Sequence, residues 1–129
     1  MSTSTESRQR VVGYWIATGL IAVAMLSGGV GDLVRPPPVL EGMTHLGYPP
    51  YFMLILGAWK VLGGGVILAP RLPRVKEWAY AGILFDLTGA TASHFAVGDD
   101  VRHIVTPLVL AGIAMASWAQ RPDSRRLAG

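Results

Sequence analysis

Two ionisable residues interrupt stretches of this chain that are otherwise almost wholly apolar: Lys60 within Tyr51 to Ala69, and Asp86 within Trp78 to Val97. A charge in such surroundings is costly unless it is paired or used, which makes each a candidate for chemistry. Small residues flank both at helical spacing, Gly57, Gly63 and Gly64 around Lys60, Gly82 and Ala90 around Asp86. That spacing predicts close-packed faces that turn both charges inward and pair them. Such a pair either fixes the register of two helices or forms a site that accepts protons or binds a headgroup.

A second polar set lies toward one end of the same runs. Counting 1.5 Å per residue from the centre of each run puts Asp32, His94 and His103 roughly 10 to 14 Å from a common midplane. Arg35, Glu41, His45, Asp99, Asp100 and Arg102 stand close to that level. Acids beside histidines can relay protons, hold a metal, or anchor the polar end of a lipophilic ligand. The structural alternative is that His94 bonds a neighbouring backbone or hydroxyl group and His103 caps a helix. No two histidines stand four residues apart, so no metal is expected. Gly63-Gly64-Gly65 lies inside an apolar run and lacks the lysine and hydroxyl that end a phosphate loop. Ser27 and Ser117 have no base arranged nearby in sequence, which leaves a serine hydrolase unsupported.

The elements that must position these groups follow from length. A bilayer core needs roughly 20 helical residues, and four runs satisfy that: 11–34, 51–69, 78–97 and 101–119. Pro36, Pro37, Pro38, Pro49 and Pro50 break the first connection, Pro70 and Pro73 the second, and Gly98-Asp99-Asp100 makes the third. The expected fold is an all-α integral membrane four-helix bundle, up-down-up-down, between polar tails at 1–10 and 120–129. Arg8, Arg10, Arg71, Arg74, Lys76, Arg121, Arg125 and Arg126 fall on one side of that layout, Arg35 and Arg102 on the other. The excess of basic residues predicts both termini and the second loop in the cytoplasm. Tyr14, Trp15, Trp78, Tyr80 and Trp118 would then ring the inner boundary, Tyr48 and Tyr51 the outer. Ala22-Val23-Ala24 offers a rival reading as a signal-peptide cleavage site, but the apolar run continues ten residues beyond it.

Composition narrows the function. The 129 residues are 51% hydrophobic and 15% charged, more apolar than a typical soluble domain. With no cysteine, disulfides, thiolate metal sites, iron–sulfur clusters and cysteine-linked haem are excluded. The net charge of +3 comes from basic residues beside apolar runs, a topology signal that argues against a nucleic-acid partner.

One family resemblance emerges from His45-Leu46-Gly47-Tyr48-Pro49, Leu56-Gly57-Ala58-Trp59-Lys60 and Lys76-Glu77-Trp78-Ala79-Tyr80-Ala81-Gly82, closed by Phe85-Asp86-Leu87, Gly89-Ala90 and Ser93-His94. The pattern resembles the DoxX-like family of small bacterial four-helix membrane proteins. The resemblance implies a bundle in the bacterial cytoplasmic (inner) membrane, and the wider DoxX and DoxD group is associated with quinone-linked sulfur oxidation and membrane redox assemblies. The positions it carries over are His45, Tyr48, Lys60, Glu77, Asp86, Ser93 and His94, none with an established catalytic role. Asp32 and His103 rest on the depth count alone.

Three functions compete on this reading. The first is a binding or accessory subunit that holds a quinone or similar lipophile at His94, Lys60, Asp86, Tyr48, His45, Asp32 and His103, carries no intrinsic cofactor, and docks to an oxidoreductase. The second is a small isomerase- or lyase-type membrane enzyme in which Asp86, His94 or Lys60 moves a proton on an apolar substrate. The third is a structural or proton-coupled transport role, for which one short chain without an inverted repeat would have to oligomerise. Small-residue faces allow a homodimer, though packing within one chain already uses them.

Overall fold

The computed structural model describes residues 2–125, and among them all regular structure is helical. Residue 1 and residues 126–129, parts of the expected polar tails that include Arg126, lie outside the described residues. The helices are α1 (Ser2–Val34), α2 (Pro37–His45), α3 (Pro50–Leu68), α4 (Pro73–Ala96) and α5 (Val101–Ala119), followed by one 3-10 turn at Asp123–Arg125. The expected four-helix bundle is therefore corrected in two respects.

First, the stretch assigned to a proline-broken loop folds into the nine-residue α2. Pro37 and Pro38 occupy its first turn, where a helix has no use for the missing N–H and the fixed φ of proline suits the start. Second, among the described residues only three helices are both long and apolar enough to cross a membrane: Ser7–Val34 within α1, Pro50–Leu68 and Val101–Ala119. α4 has the length, with 24 residues, but Asp86, Thr88, Thr91, Ser93 and His94 lower the hydropathy of its second half, and Arg74, Lys76 and Glu77 that of its first turns. The fold is thus three apolar helices with a long, polar-bearing α4 packed among them and a short α2 across one end. α1 also starts earlier than expected, taking up residues assigned to the polar tail, and runs unbroken through Ala22-Val23-Ala24.

α1 and α3 run antiparallel and touch through their backbones. A Cβ on Gly29 would lie 2.9 Å from the Gly57 carbonyl oxygen, and one on Gly57 would lie 2.8 Å from the Gly29 oxygen. Two turns further along α3, a Cβ on Gly64 would lie 3.0 Å from Leu26. These contacts set the register: residue 29 of α1 faces residue 57 of α3. The central core then gathers Ile21, Met25, Ile67, Tyr80, Ile83, Leu87, Ala111 and Ala114 from all four long helices. Inside it, the Ser117 hydroxyl bonds both Thr18 (2.6 Å) and the Tyr80 phenol (2.7 Å), so that three helices share one satisfied polar link.

Both ends of the described chain meet at the same end of the molecule, where Arg10 lies 3.7 Å from Asp123. There the last turn of α3, whose carbonyls have no partner within the helix, is capped by side chains from elsewhere. Arg125 donates to the carbonyls of Ile67, Leu68 and Ala69 and stacks on Trp15 at 4.6 Å. The fully buried Lys76 donates to the carbonyls of Ala69 and Arg71. Tyr14 and Tyr80, expected as interfacial rings, are instead buried, whereas Trp15, Trp78 and Trp118 are exposed. The outward faces are apolar throughout, with Ile16, Val23 and Phe85 at 60%, 67% and 76% exposure. Soluble proteins seldom present so continuous an apolar surface, and lipid is the solvent that suits it.

Candidate functional site

A cavity of about 540 Å³ opens at the end of the molecule opposite the chain termini. α1 contributes Met25, α3 contributes Phe52, Leu56 and Lys60, α4 contributes Phe85, Asp86 and His94, and α5 contributes His103, Thr106 and Pro107. Tyr48 comes from the connection between α2 and α3, so every layer of the fold supplies a wall.

At its floor the charges pair differently from the sequence expectation. Lys60 Nζ lies 3.1 Å from Asp32 Oδ2, an ion pair whose side chains are 19% and 7% exposed. The sequence reading joined Lys60 to Asp86 and set Asp32 a tier away. It took the middle of the apolar run 11–34 as the membrane centre of α1. The Gly29–Gly57 contact places the far third of α1 beside the middle of α3, and Asp32 comes within reach of a lysine side chain. The contact between Asp32 and Lys60 lacks the alignment of a hydrogen bond, leaving Asp32 Oδ2 buried on Coulomb attraction alone. Asp86 lines the same cavity as Lys60 and has no hydrogen bond or ion pair at bonding distance among the described residues. One ammonium therefore faces two carboxylates.

The rim is a histidine–carboxylate system. Asp99, in the turn after α4, accepts from His45 Nε2 on one oxygen and from His94 Nδ1 on the other, both at 2.6 Å. These two hydrogen bonds, His94's first, hold the Asp99 carboxyl below its ordinary range. Asp100 caps α5, accepting from the Arg102 backbone N–H at 3.0 Å. The Arg102 guanidinium at 3.1 Å, with His103 Nδ1 at 3.2 Å, likewise lowers the Asp100 carboxyl. The His94 and His103 rings stand 5.4 Å apart. With Nδ1–H directed to Asp99, a neutral His94 keeps Nε2 as a lone-pair acceptor.

Tyr48 completes the wall. Its ring stacks on Phe52 at 5.2 Å and its hydroxyl bonds Ser93 Oγ, tying the α2–α3 connection to α4. Of the predicted site residues, Lys60, Asp86, His94, Tyr48 and His103 line the cavity; Asp32 and His45 stand behind Lys60 and Asp99 as their partners. Glu77, carried over from the resemblance, is at the opposite end, bonded to Arg121 and Trp118. No group of three histidine, aspartate or glutamate side chains arranged to hold a metal occurs among the described residues.

Sequence reasoning missed the bridging role of Asp99, which depends on α2 folding over the rim, and it missed Pro107. A proline inside an apolar run was the available signal: Pro107 has no N–H for the His103 carbonyl one turn back, which loosens α5 at the cavity wall.

The glycines divide into two kinds. Gly57 and Gly64 serve the close packing that the small-residue spacing predicts, but against α1. Gly82 and Gly89 of α4 face open space, with nothing within 4 Å of a Cβ built on either, and both border cavities.

Comparison with known proteins agrees with the geometry. A family model described as the DoxX-like family matches residues 16–117, which takes in α3 and α4, most of α5, the second half of α1 and the whole cavity. Neither the curated proteins nor the solved structures gave a match.

Proposed function

The chain belongs to the DoxX-like family and is a small membrane protein, and from the chemistry of its cavity we propose that it binds a quinone-like lipophile there. The observation that carries this is the convergence of Tyr48, His94, His103, Lys60 and Asp86 on one largely apolar cavity of about 540 Å³. A pocket of a few hundred Å³ with a small number of placed polar groups is the usual form of a small-molecule site. An ammonium with spare N–H groups can donate to ring carbonyls, while His94 Nε2 and the Tyr48 phenol oxygen, whose own hydrogen goes to Ser93, can accept from ring hydroxyls. One site thereby serves both the oxidised and the reduced form of such a ring. With no cysteine the chain lacks ligands for a thiolate-held redox centre, which suits a membrane accessory subunit that leaves the redox chemistry to an oxidoreductase. The membrane is the bacterial cytoplasmic membrane on this reading, with the end that carries both termini facing the cytoplasm.

Purification in mild detergent, followed by solvent extraction and mass spectrometry, tests the proposal. A ring-carbonyl lipophile should leave with the wild-type protein, and Tyr48→Phe and His94→Ala should each lower its occupancy. A wild-type protein that carries none, and that takes up no added decylubiquinone, sinks the reading.

A further inference from the structure

A second cavity of about 630 Å³ lies between α3 and α4, on the side of Lys60 and Asp86 nearer the chain termini. The two cavities share Met25, Leu56, Phe85, Lys60 and Asp86, so they adjoin at a neck lined by three apolar residues and the two charged ones. The inner cavity exists because the facing residues Gly63 and Gly82 have no side chains: a Cβ on Gly63 would only just reach Ile83, at 3.8 Å, and one on Gly82 would meet nothing. Trp59 and Trp78 form part of its lining and are themselves 67% and 68% exposed on the outer face. The inner cavity therefore opens sideways, to where lipid chains would lie, and apart from the neck its lining carries no charge.

We infer that the two cavities are one site for a single long-chain amphiphile, its polar ring in the outer cavity and its apolar chain laid between α3 and α4 toward the bilayer. The inference rests on the reading of the outer cavity given above and adds the ligand's second half and its route of entry. The charged groups and the hydrogen-bond acceptors are all at the neck or beyond it, where a head can be held. The inner cavity offers mostly apolar wall, the aliphatic stem of Lys60 and no acceptor or charge beyond the indoles of Trp59 and Trp78, which suits a hydrocarbon chain and would leave a polar head poorly satisfied. A ligand dissolved in the membrane could reach the head site through the same lateral opening without crossing water.

Two benzoquinones that differ only in a decyl chain separate the parts of this claim. Each is titrated into the protein in lipid nanodiscs, following tryptophan fluorescence and subtracting the partition seen with empty nanodiscs. Burial of the chain predicts that the decyl probe binds at least about tenfold more tightly than the tailless one after that correction. Gly82→Leu, and independently Gly63→Val, fill the inner cavity and should reduce the ratio toward one while leaving the tailless probe within about twofold of its wild-type Kd. Using both variants keeps the test intact if one of them fails to assemble. A chain-length ratio that survives in the filled variants, or a tailless probe weakened as much as the decyl one, overturns the inference and leaves the outer cavity's role standing. Failure of both probes to bind the wild type removes that role as well.

Discussion

At the scale of the residue, Lys60 distinguishes two carboxylates that composition treats alike. Asp32 is in contact with it and buried, and Asp86 faces the cavity without a partner at bonding distance. Removing one member of a buried pair leaves the other uncompensated, a loss of about 3 kcal/mol. Lys60→Met and Asp32→Asn should therefore each lower stability by about that amount, and the double variant should recover much of it. Asp86→Asn, which breaks no contact pair, should cost well under about 1 kcal/mol and register in ligand binding instead. Chemical or thermal unfolding of the four variants in one detergent decides this; equal losses for Asp32→Asn and Asp86→Asn would mean that Asp86 shares the pair. Asp99 makes a separate prediction in pH. Its folded-state carboxyl is held low by His94 and His45, so its contribution is complete above the ordinary carboxylate value of about 3.9 and disappears as pH falls through the lowered one. Stability measured from pH 6 down to the acid limit should show this decline in the wild type and a shallower one in Asp99→Asn.

At the scale of the element, the helix contacts explain what could and could not be read from sequence. The apolar runs and their lengths marked α1, α3 and α5, because a helix long enough for the bilayer leaves a compositional trace. α2 left none, since Pro37 and Pro38 read as breakers unless their place in a first turn is known. α4 matches the other spans in length but not in hydropathy, because Thr88, Thr91, Ser93 and His94 join Asp86 within its apolar run, and the helix begins earlier, at Pro73, with Arg74, Lys76 and Glu77. Which residues carry the chemistry was legible as residue types in apolar surroundings; which of them touch was not, because partners depend on helix register. The register of α1 on α3 is set by Gly29 and Gly57, and glycines of both kinds look alike in sequence. The distinction can be measured. Gly57→Ala would drive a Cβ to 2.8 Å from a backbone oxygen that cannot move aside, and should cost about 1 to 3 kcal/mol. Gly89→Ala places its methyl in open space and should be neutral or stabilising by up to about 1 kcal/mol through helix propensity. A Gly57→Ala protein as stable as the wild type would show that the helices do not approach this closely.

At the scale of the whole molecule, the distribution of basic residues connects the fold to its place in a membrane. Arg8, Arg10, Arg71, Arg74, Lys76, Arg121 and Arg125 belong to the end where the chain termini meet, and Arg35 and Arg102 to the end with the cavity mouth. Several of the first group are engaged in the finished fold: Lys76 and Arg125 hold the carbonyls at the end of α3, and Arg121 is bonded to Glu77. That does not weaken their effect on orientation, because positive residues bias insertion while loops are still solvated, before these contacts exist. In the orientation proposed above the same groups serve twice, first retaining one end in the cytoplasm and afterwards closing it, which leaves the opposite end open around His94 and Asp99. A fluorescent protein fused after Gly129 should accordingly be bright, and alkaline phosphatase inserted after Gly98 should be active, since that turn would lie outside the cytoplasm. Substituting glutamate for Arg71 and Arg74 should lower both signals by mixing orientations. The reversed pattern in the unsubstituted protein, phosphatase silent at Gly98 and active at Gly129, would place the cavity mouth on the cytoplasmic side and require any oxidoreductase partner to dock there.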